Sequence, residues 1–427
     1  MRALPLTSKR ALRLVHDAAQ LAFRAERRID PLYRDQLDRL LRDPLFDLAQ
    51  VIVNLRRPRR SGLALAEERT LPGEERYTAA IVELMTEFLA RTYPPGQGVK
   101  AERAGNTKTY GVVRGEFRVL DDLPPRLRHG VFAQRRSFQA WVRFAGPGPL
   151  APADLDDNGV LSVAIKLMGV PGPKLLDDER FTQDFLGISA PTFTTPDVRA
   201  NVGLQRQVGE GTPLFYFLDP HDPHVLDLVM QALYSRTQTS PLEVAYHGCV
   251  PYLLGEGQAM QYSLRPQSAR RTRIGLFPSD DYLREAMAAT LSREEVRLDF
   301  FVQTQTDPDR MPIENASVRW PEHLSPHVRV AELRLPVQRF DAPQQLAFAD
   351  NLSFNPWHAI AEHRPLGNQN RARREIYVAL ARARRRMNAA AAIEPTGDER
   401  FAEHGDGPWR RGRLPSDPQT AGSASRG

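Results

Sequence analysis

The sequence predicts an α+β fold, an antiparallel β-sheet or barrel with helices before and after it. Three observations lead there. The first 95 residues repeat apolar side chains at the helical period. From about residue 108 the chain changes to runs rich in β-branched and aromatic residues, without the regular strand–helix alternation of a parallel sheet. From Asn370 to Met387 it returns to a helical and strongly basic segment.

The elements follow in order. Leu12, Leu14, Val15, Ala18, Leu21 and Phe23 mark a helix from about residue 9. Leu37, Leu40, Leu41, Leu45 and Phe46 mark a second from about Asp35 to Val53. RRPRRSG (56–62) is a basic break containing Pro and Gly. A third helix, about 74–91, stops at TYPPGQG (92–98). TYGVVRGEFRVL (109–120), QAWVRFA (139–145) and GVLSVAIKLM (159–168) read as strands separated by turn-forming residues. PHVLDLVMQALYS (223–235) reads as a helix, and VPYLLGEGQAMQYSLRP (250–266) and EEVRLDFFVQTQT (294–306) as further strands. After Asn388, Ala, Gly, Ser, Pro and charge dominate, which predicts a disordered tail. Three regions result: a helical N-terminal extension (1–95), a barrel with its helices (96–387) and a tail (388–427).

Composition bounds the function. The chain is 41% hydrophobic with 58 basic and 52 acidic residues, enough apolar material for a sizeable core. Only five of the basic residues are Lys, so 53 are Arg. Codon usage accounts for most of these, but Arg is also a rigid, permanently charged fork suited to carboxylates, and position separates the two readings. The lone Cys249 excludes an internal disulfide and any Cys-rich metal or iron–sulfur site. With no secretory pattern in the opening residues, this points to the cytoplasm. No run reaches the roughly 18–20 charge-free apolar residues of a membrane span.

Phosphate-binding, dinucleotide-binding, zinc-protease and nucleophile-elbow motifs are missing. His221 and His224 in DPHDPH sit in a Pro/Asp-rich turn, where cap chemistry is the simpler reading. The informative segment is NLSFNPWHAIAEHRPLGNQNRARREIYVALARARRR (351–386). In its helix Arg373 and Tyr377 are four residues apart and share a face. A guanidinium beside a phenol favours the phenolate, and a phenolate is an axial ligand for haem iron.

Taken in order, the motifs resemble the catalase-like haem protein superfamily from about Arg103 to Arg384. VRFA (142–145), AIKLM (164–168), FLGISAPTF (185–193), VPYLLGEGQAMQYSLRP (250–266), SFNP (353–356) and Arg373–Tyr377 are similar to its successive motifs. GVVRGEF (111–117) and SFNPWH…HRPLG…NRAR (353–373) resemble its divergent bacterial branch in particular. The resemblance implies a catalase-type antiparallel barrel, with a C-terminal helical region carrying the haem ligand. It implies haem b with Tyr377 as the iron ligand, Arg373 beside it, and Arg103, Arg143 and Arg384 on the propionates.

The distal side departs from that pattern. Asn106 stands where the acid–base His would be, Ser189 where the Asn would be, and Ala145 where the supporting Ser would be. Tyr110, near Asn106, is the candidate for a displaced acid–base role. The resemblance therefore implies a haem oxidoreductase acting on an organic or fatty-acid hydroperoxide, with weak or no hydrogen peroxide dismutation. The alternatives are a non-catalytic haem-binding or sensing protein and, third, nucleic-acid binding through Arg56, Arg57, Arg59, Arg60, Arg382, Arg384, Arg385 and Arg386. Near-balanced charge and the lack of a reading motif argue against specific nucleic-acid recognition. The amphipathic N-terminal helices suit packing onto the barrel, a peripheral membrane contact or a homo-oligomer interface.

Overall fold

The computed structural model describes residues 6–58, 62–269, 271–275 and 277–401, with the side chains of 6–13, 15 and 16 left aside. Helix α1 (Leu6–Leu37) runs through a π turn (Asp38–Arg42) into α2 (Asp43–Arg56), and α3 (Glu74–Thr92) follows. The two helices expected between residues 9 and 55 are thus one continuous rod. Pro31 lies inside it. Proline donates nothing to the carbonyl four residues back, and that carbonyl, on Arg27, accepts the Thr237 hydroxyl at 2.7 Å.

Strands β1 (Thr109–Val119), β2 (Ser137–Ala145), β3 (Ser162–Leu167) and β4 (Gln183–Ile188) form an antiparallel meander. Helices α4 (Val198–Gly209), α5 (Leu214–Phe217) and α6 (Val225–Tyr234) intervene before β5 (Tyr246–His247), β6 (Tyr252–Leu253) and β7 (Ala259–Pro266). Helix α7 (Tyr282–Leu291), β8 (Val296–Thr304), β9 (Val328–Leu335), α8 (Pro343–Asn351) and α9 (Asn368–Met387) complete the order.

The strands pair as β5-β4-β3-β2-β1-β9-β8-β7, and a β5–β7 pairing shuts the ring. The result is a closed antiparallel barrel of eight strands, with β6 a short addition beside β7. Closure removes the unpaired edges that an open sheet would expose. Alternate residues of each strand point inward, and the interior is aromatic: Phe117, Phe185 and Tyr262 all lie about Phe300, at centroid distances of 5.1–5.2 Å. The fold class expected from the sequence is the one found.

The tail departs from expectation. Residues 388–401 pack on the outside of the barrel, where Trp141 Nε1 donates to Glu399 at 2.8 Å and Phe401 meets the Trp141 and Phe348 rings. Aromatic burial and a hydrogen bond to an otherwise stranded indole N–H hold a segment whose composition looked unstructured. The rest of the expected tail, 402–427, lies outside the described residues, as do Arg59 and Arg60.

Candidate functional site

On the outer face of β2, Trp141, Arg143 and Ala145 alternate with inward Val142 and Phe144. Arg143 is 4% exposed. Its Nη2 donates to the carbonyls of Asn106 (2.6 Å) and Thr107 (3.2 Å), and to the Thr109 hydroxyl (2.8 Å). Arg103, half-buried in the loop before β1, donates to the carbonyls of Ala349 (3.0 Å) and Leu352 (2.7 Å). Arg384, buried on α9, donates to the Asp350 carbonyl and, at 3.2 Å, to the same Leu352 carbonyl. The C-terminal end of α8 thus gathers Arg103 and Arg384 onto one oxygen.

Among the described residues none of these three guanidiniums is in an ion pair. The nearby Asp350 carboxylate is bound to Lys100 instead, at 3.0 Å. Their basicity records the strain. Burial, then repulsion from Arg384, lowers Arg143 to about 9. Burial, opposed by Asp350 and reinforced by Arg385, lowers Arg384 to about 10. Burial, then Arg143 and Arg384, pushes Arg103 well down. A buried charge without a partner is costly, and backbone carbonyls compensate only part of the cost. The three guanidiniums thus share one region with no carboxylate paired to them among the described residues.

Helix α9 carries the second half of the site. Arg373 Nε and Nη2 both donate to the Tyr377 phenol oxygen at 3.2 Å, while Nη1 donates to Asn370 at 3.0 Å. Arg373, too, is in no ion pair among the described residues. Burial opposes its charge, but Tyr377 and Tyr252 hold its basicity above the ordinary value. Tyr252 is buried, and its hydroxyl has no hydrogen-bond partner among the described residues. Arg373, Tyr377 and Arg384 lie on one side of the helix, with Tyr377 and Arg384 about 10 Å apart along its axis. Arg371 fixes the start of α9, donating to Glu74 on α3 at 2.6 and 2.8 Å and to Glu314 at 3.1 Å.

The distal candidates divide. Thr109, Ala145, Ser162 and Ile188 form one register row across β1–β4. Asn106, Arg143 and Ser189 therefore gather at one end of the barrel. Asn106 has a positive φ of 47°, which Asn tolerates, and its backbone carbonyl is one of the two bonded to Arg143. The Ser189 hydroxyl is engaged, accepting the Leu161 N–H at 2.9 Å. Tyr110 does not join them. It packs in the main core with Phe144 and Tyr246, its hydroxyl lacks a partner, and burial, then Asp154, pushes its phenol far above the usual range. This placement opposes the displaced acid–base role expected for it.

One cluster escaped the sequence reading. Lys166 on β3 is fully buried, with Nζ against Glu179 and 2.8 Å from Asp184. His358 Nδ1 lies 2.9 Å from Asp184, and its Nε2 3.2 Å from Asp178. Glu179, Asp184 and His358 have the donor types and spacing of a metal site, but the Lys166 ammonium already sits among them as the cation. The cluster's work is structural: Asp184 accepts the Asn355 N–H at 2.9 Å and its own N–H donates to the His358 carbonyl, pinning the loop that follows Leu352. A lone Lys in the apolar strand AIKLM and a lone Asp in DFLGI were the available signals.

The His224 of DPHDPH is structural as well. His224 stacks on Tyr216 and pairs with Asp227 at 3.2 Å. The basic run at 382–386 is split by the burial of Arg384, which weakens the nucleic-acid reading.

No family model and no curated protein matches the chain. Solved structures do. A fungal catalase matches at TM-score 0.53 and 15% identity over 77% of this chain and 66%, just under two thirds, of its own. A bacterial catalase matches at 0.52 and 14%, over 81% of this chain and 72% of its own. Catalase A from Saccharomyces cerevisiae matches at 0.52 and 13%, over 77% and 68%. The architecture is that of the catalases: a catalase-like barrel with helices at both ends. At these identities the likeness establishes the fold, and the chemistry has to be argued from the residues.

Proposed function

We propose that the chain binds haem b through Tyr377 and works as a haem-dependent oxidoreductase on an organic hydroperoxide, fatty-acid hydroperoxides included. The observation that carries this reading is the group of three guanidiniums at Arg103, Arg143 and Arg384, buried or half-buried and without a carboxylate. Two propionates would supply the missing negative charge through charge-assisted hydrogen bonds. Tyr377 would be the iron ligand. Arg373, donating twice to its oxygen, would fix that oxygen's position.

Bound at these residues, haem supplies iron-centred redox chemistry towards peroxides. The protein's share of that chemistry is set by the distal end. Asn106 is an amide with no titration in the working range and cannot shuttle a proton. The Ser189 hydroxyl accepts the Leu161 N–H, which leaves it an O–H to donate but makes it no base. Positioned proton transfer is typically worth about 10²–10⁴-fold, and hydrogen peroxide dismutation depends on it. The same deficit weighs less on an organic hydroperoxide, whose turnover can rest on binding and on the iron. A non-catalytic haem sensor is the second reading, favoured by an amide at Asn106 and a hydroxyl at Ser189 where an acid–base pair would be needed.

The test is the visible spectrum of the haem-reconstituted chain beside Tyr377→Phe, with assays on hydrogen peroxide and on a fatty-acid hydroperoxide, each with and without an electron donor. A ferric haem band lost in the variant, with hydroperoxide turnover and little oxygen evolution, is expected. An unchanged band removes Tyr377 from the iron. A band without any turnover selects the sensor.

A further inference from the structure

We propose that the N-terminal helical rod is a docking surface for an anionic lipid bilayer. The face turned to the body is polar along α1 and the π turn, where Asp30, Arg34 and Asp38 are buried, Asp30 accepts the Thr237 N–H at 2.6 Å and Arg236 bonds Asp38 at 3.0 Å; α2 seats Phe46 and Ala49 against Met230. The outward face is apolar. Leu21, Ile29, Leu32, Leu40, Leu48 and Leu55 are all exposed, Leu32 to 82% and Leu40 and Leu55 to 72% each. Their spacings of three, seven or eight residues keep them on one side, and the π turn at Asp38–Arg42 lies midway. Along α1 this inverts the usual arrangement, in which a helix buries its apolar side and shows its charges. From Leu21 to Leu55 the strip is about 50 Å long.

Charge identifies the occupant. Of the described acids beside the strip, Asp35 pairs with Arg236 (2.7 Å), Asp43 with Arg42 (3.2 Å) and Asp47 with Arg319, while Glu26 accepts the Tyr33 hydroxyl. Arg28, Arg39 and Arg56 are exposed and, among the described residues, in no ion pair. The surplus around the apolar strip is therefore positive, which complements anionic headgroups. A second copy laid along the same strip would bring the same surplus of arginines against itself. The strip is a single convex helical ridge, a shape suited to a fluid lipid surface. No helix among the described residues is long and apolar enough to cross a membrane, so the contact is peripheral. This inference is independent of the haem reading.

The test uses the full chain in co-sedimentation with phosphatidylcholine vesicles, with and without phosphatidylglycerol, at low and high salt. Binding to the anionic vesicles is expected, weakened by salt. Leu32→Glu with Leu40→Glu should weaken it at least tenfold, and Arg28→Glu with Arg39→Glu should remove the preference for phosphatidylglycerol. All four positions are exposed, so circular dichroism and melting temperature should match the parent and separate lost docking from lost folding. The proposal is overturned if neither vesicle sediments the chain, if the leucine variant binds as before, or if the parent is a dimer that the leucine variant splits while vesicles are ignored.

Discussion

Arg143 shows how much of the site a single residue can reveal. In the sequence it is one Arg among 53, and only the surrounding VRFA motif distinguished it. The structure adds what sequence cannot: burial, and the lack of a counter-ion. Lys166 and His358 show the reverse. Their partners Glu179 and Asp184 are 13 and 18 residues from Lys166, and His358 is 174 from Asp184, so only folding assembles the cluster. It gives a pH prediction. Burial and Lys166 lower the His358 pKa, but the hydrogen bonds to Asp178 and Asp184 outweigh them and raise it to about 9. A His with a folded pKa above its unfolded value of about 6.5 contributes stability fully below that value, and the contribution is lost as pH rises through about 9. Thermal stability should therefore fall across roughly pH 6.5–9, by at most about 3 kcal/mol. His358→Gln should melt lower at about pH 6 but show a flatter profile. An equally steep profile in the variant would place the titration elsewhere.

At the scale of elements, legibility followed periodicity. Strands β1, β2, β3, β7 and β8 and helices α3, α6 and α9 were visible as alternation or as helical stripes. Helices α4, α7 and α8 were not singled out. Helix α8 (PQQLAFADN) has only nine residues, buries Gln345 beside Phe348, and owes its place to Gln345 Nε2 donating to the Val112 carbonyl at 2.7 Å. That contact lies outside any local pattern. Gly111 on β1 tests the packing between elements. A Cβ there would lie 2.5 Å from Phe340 and 2.6 Å from Met287, both buried. Neither side chain has free space to retreat into. Gly111→Ala should cost about 1–3 kcal/mol, read as a lower denaturant midpoint with an unchanged slope. An unchanged midpoint would mean that α7 and the Phe340 segment yield easily, and that the junction is looser than its burial implies.

For the whole molecule, the barrel, α8 and α9 meet at a place where positive charge is concentrated without compensation, which makes stability and binding two sides of one property. The apo chain holds Arg103, Arg143 and Arg384 at a cost, seen in the lowered basicity of all three. Any dianion bound there relieves the repulsion, and a ligand at one hundred times its Kd adds about 2.7 kcal/mol to the folded state. Arg143→Met removes one charge. It also forfeits the charge-assisted bonds to the Asn106 and Thr107 carbonyls and the Thr109 hydroxyl, each worth about 1.5–3 kcal/mol. Against that stands a desolvation penalty of several kcal/mol for an unpaired buried ion. The two terms are of similar size, so the variant should melt close to the parent, while the rise in melting temperature on adding haem should largely disappear. Calorimetry of both proteins, with and without haem, decides the matter. A variant that melts well below the parent yet keeps the full haem-induced rise would make Arg143 a clamp for the 106–109 loop and leave the propionates to Arg103 and Arg384 alone.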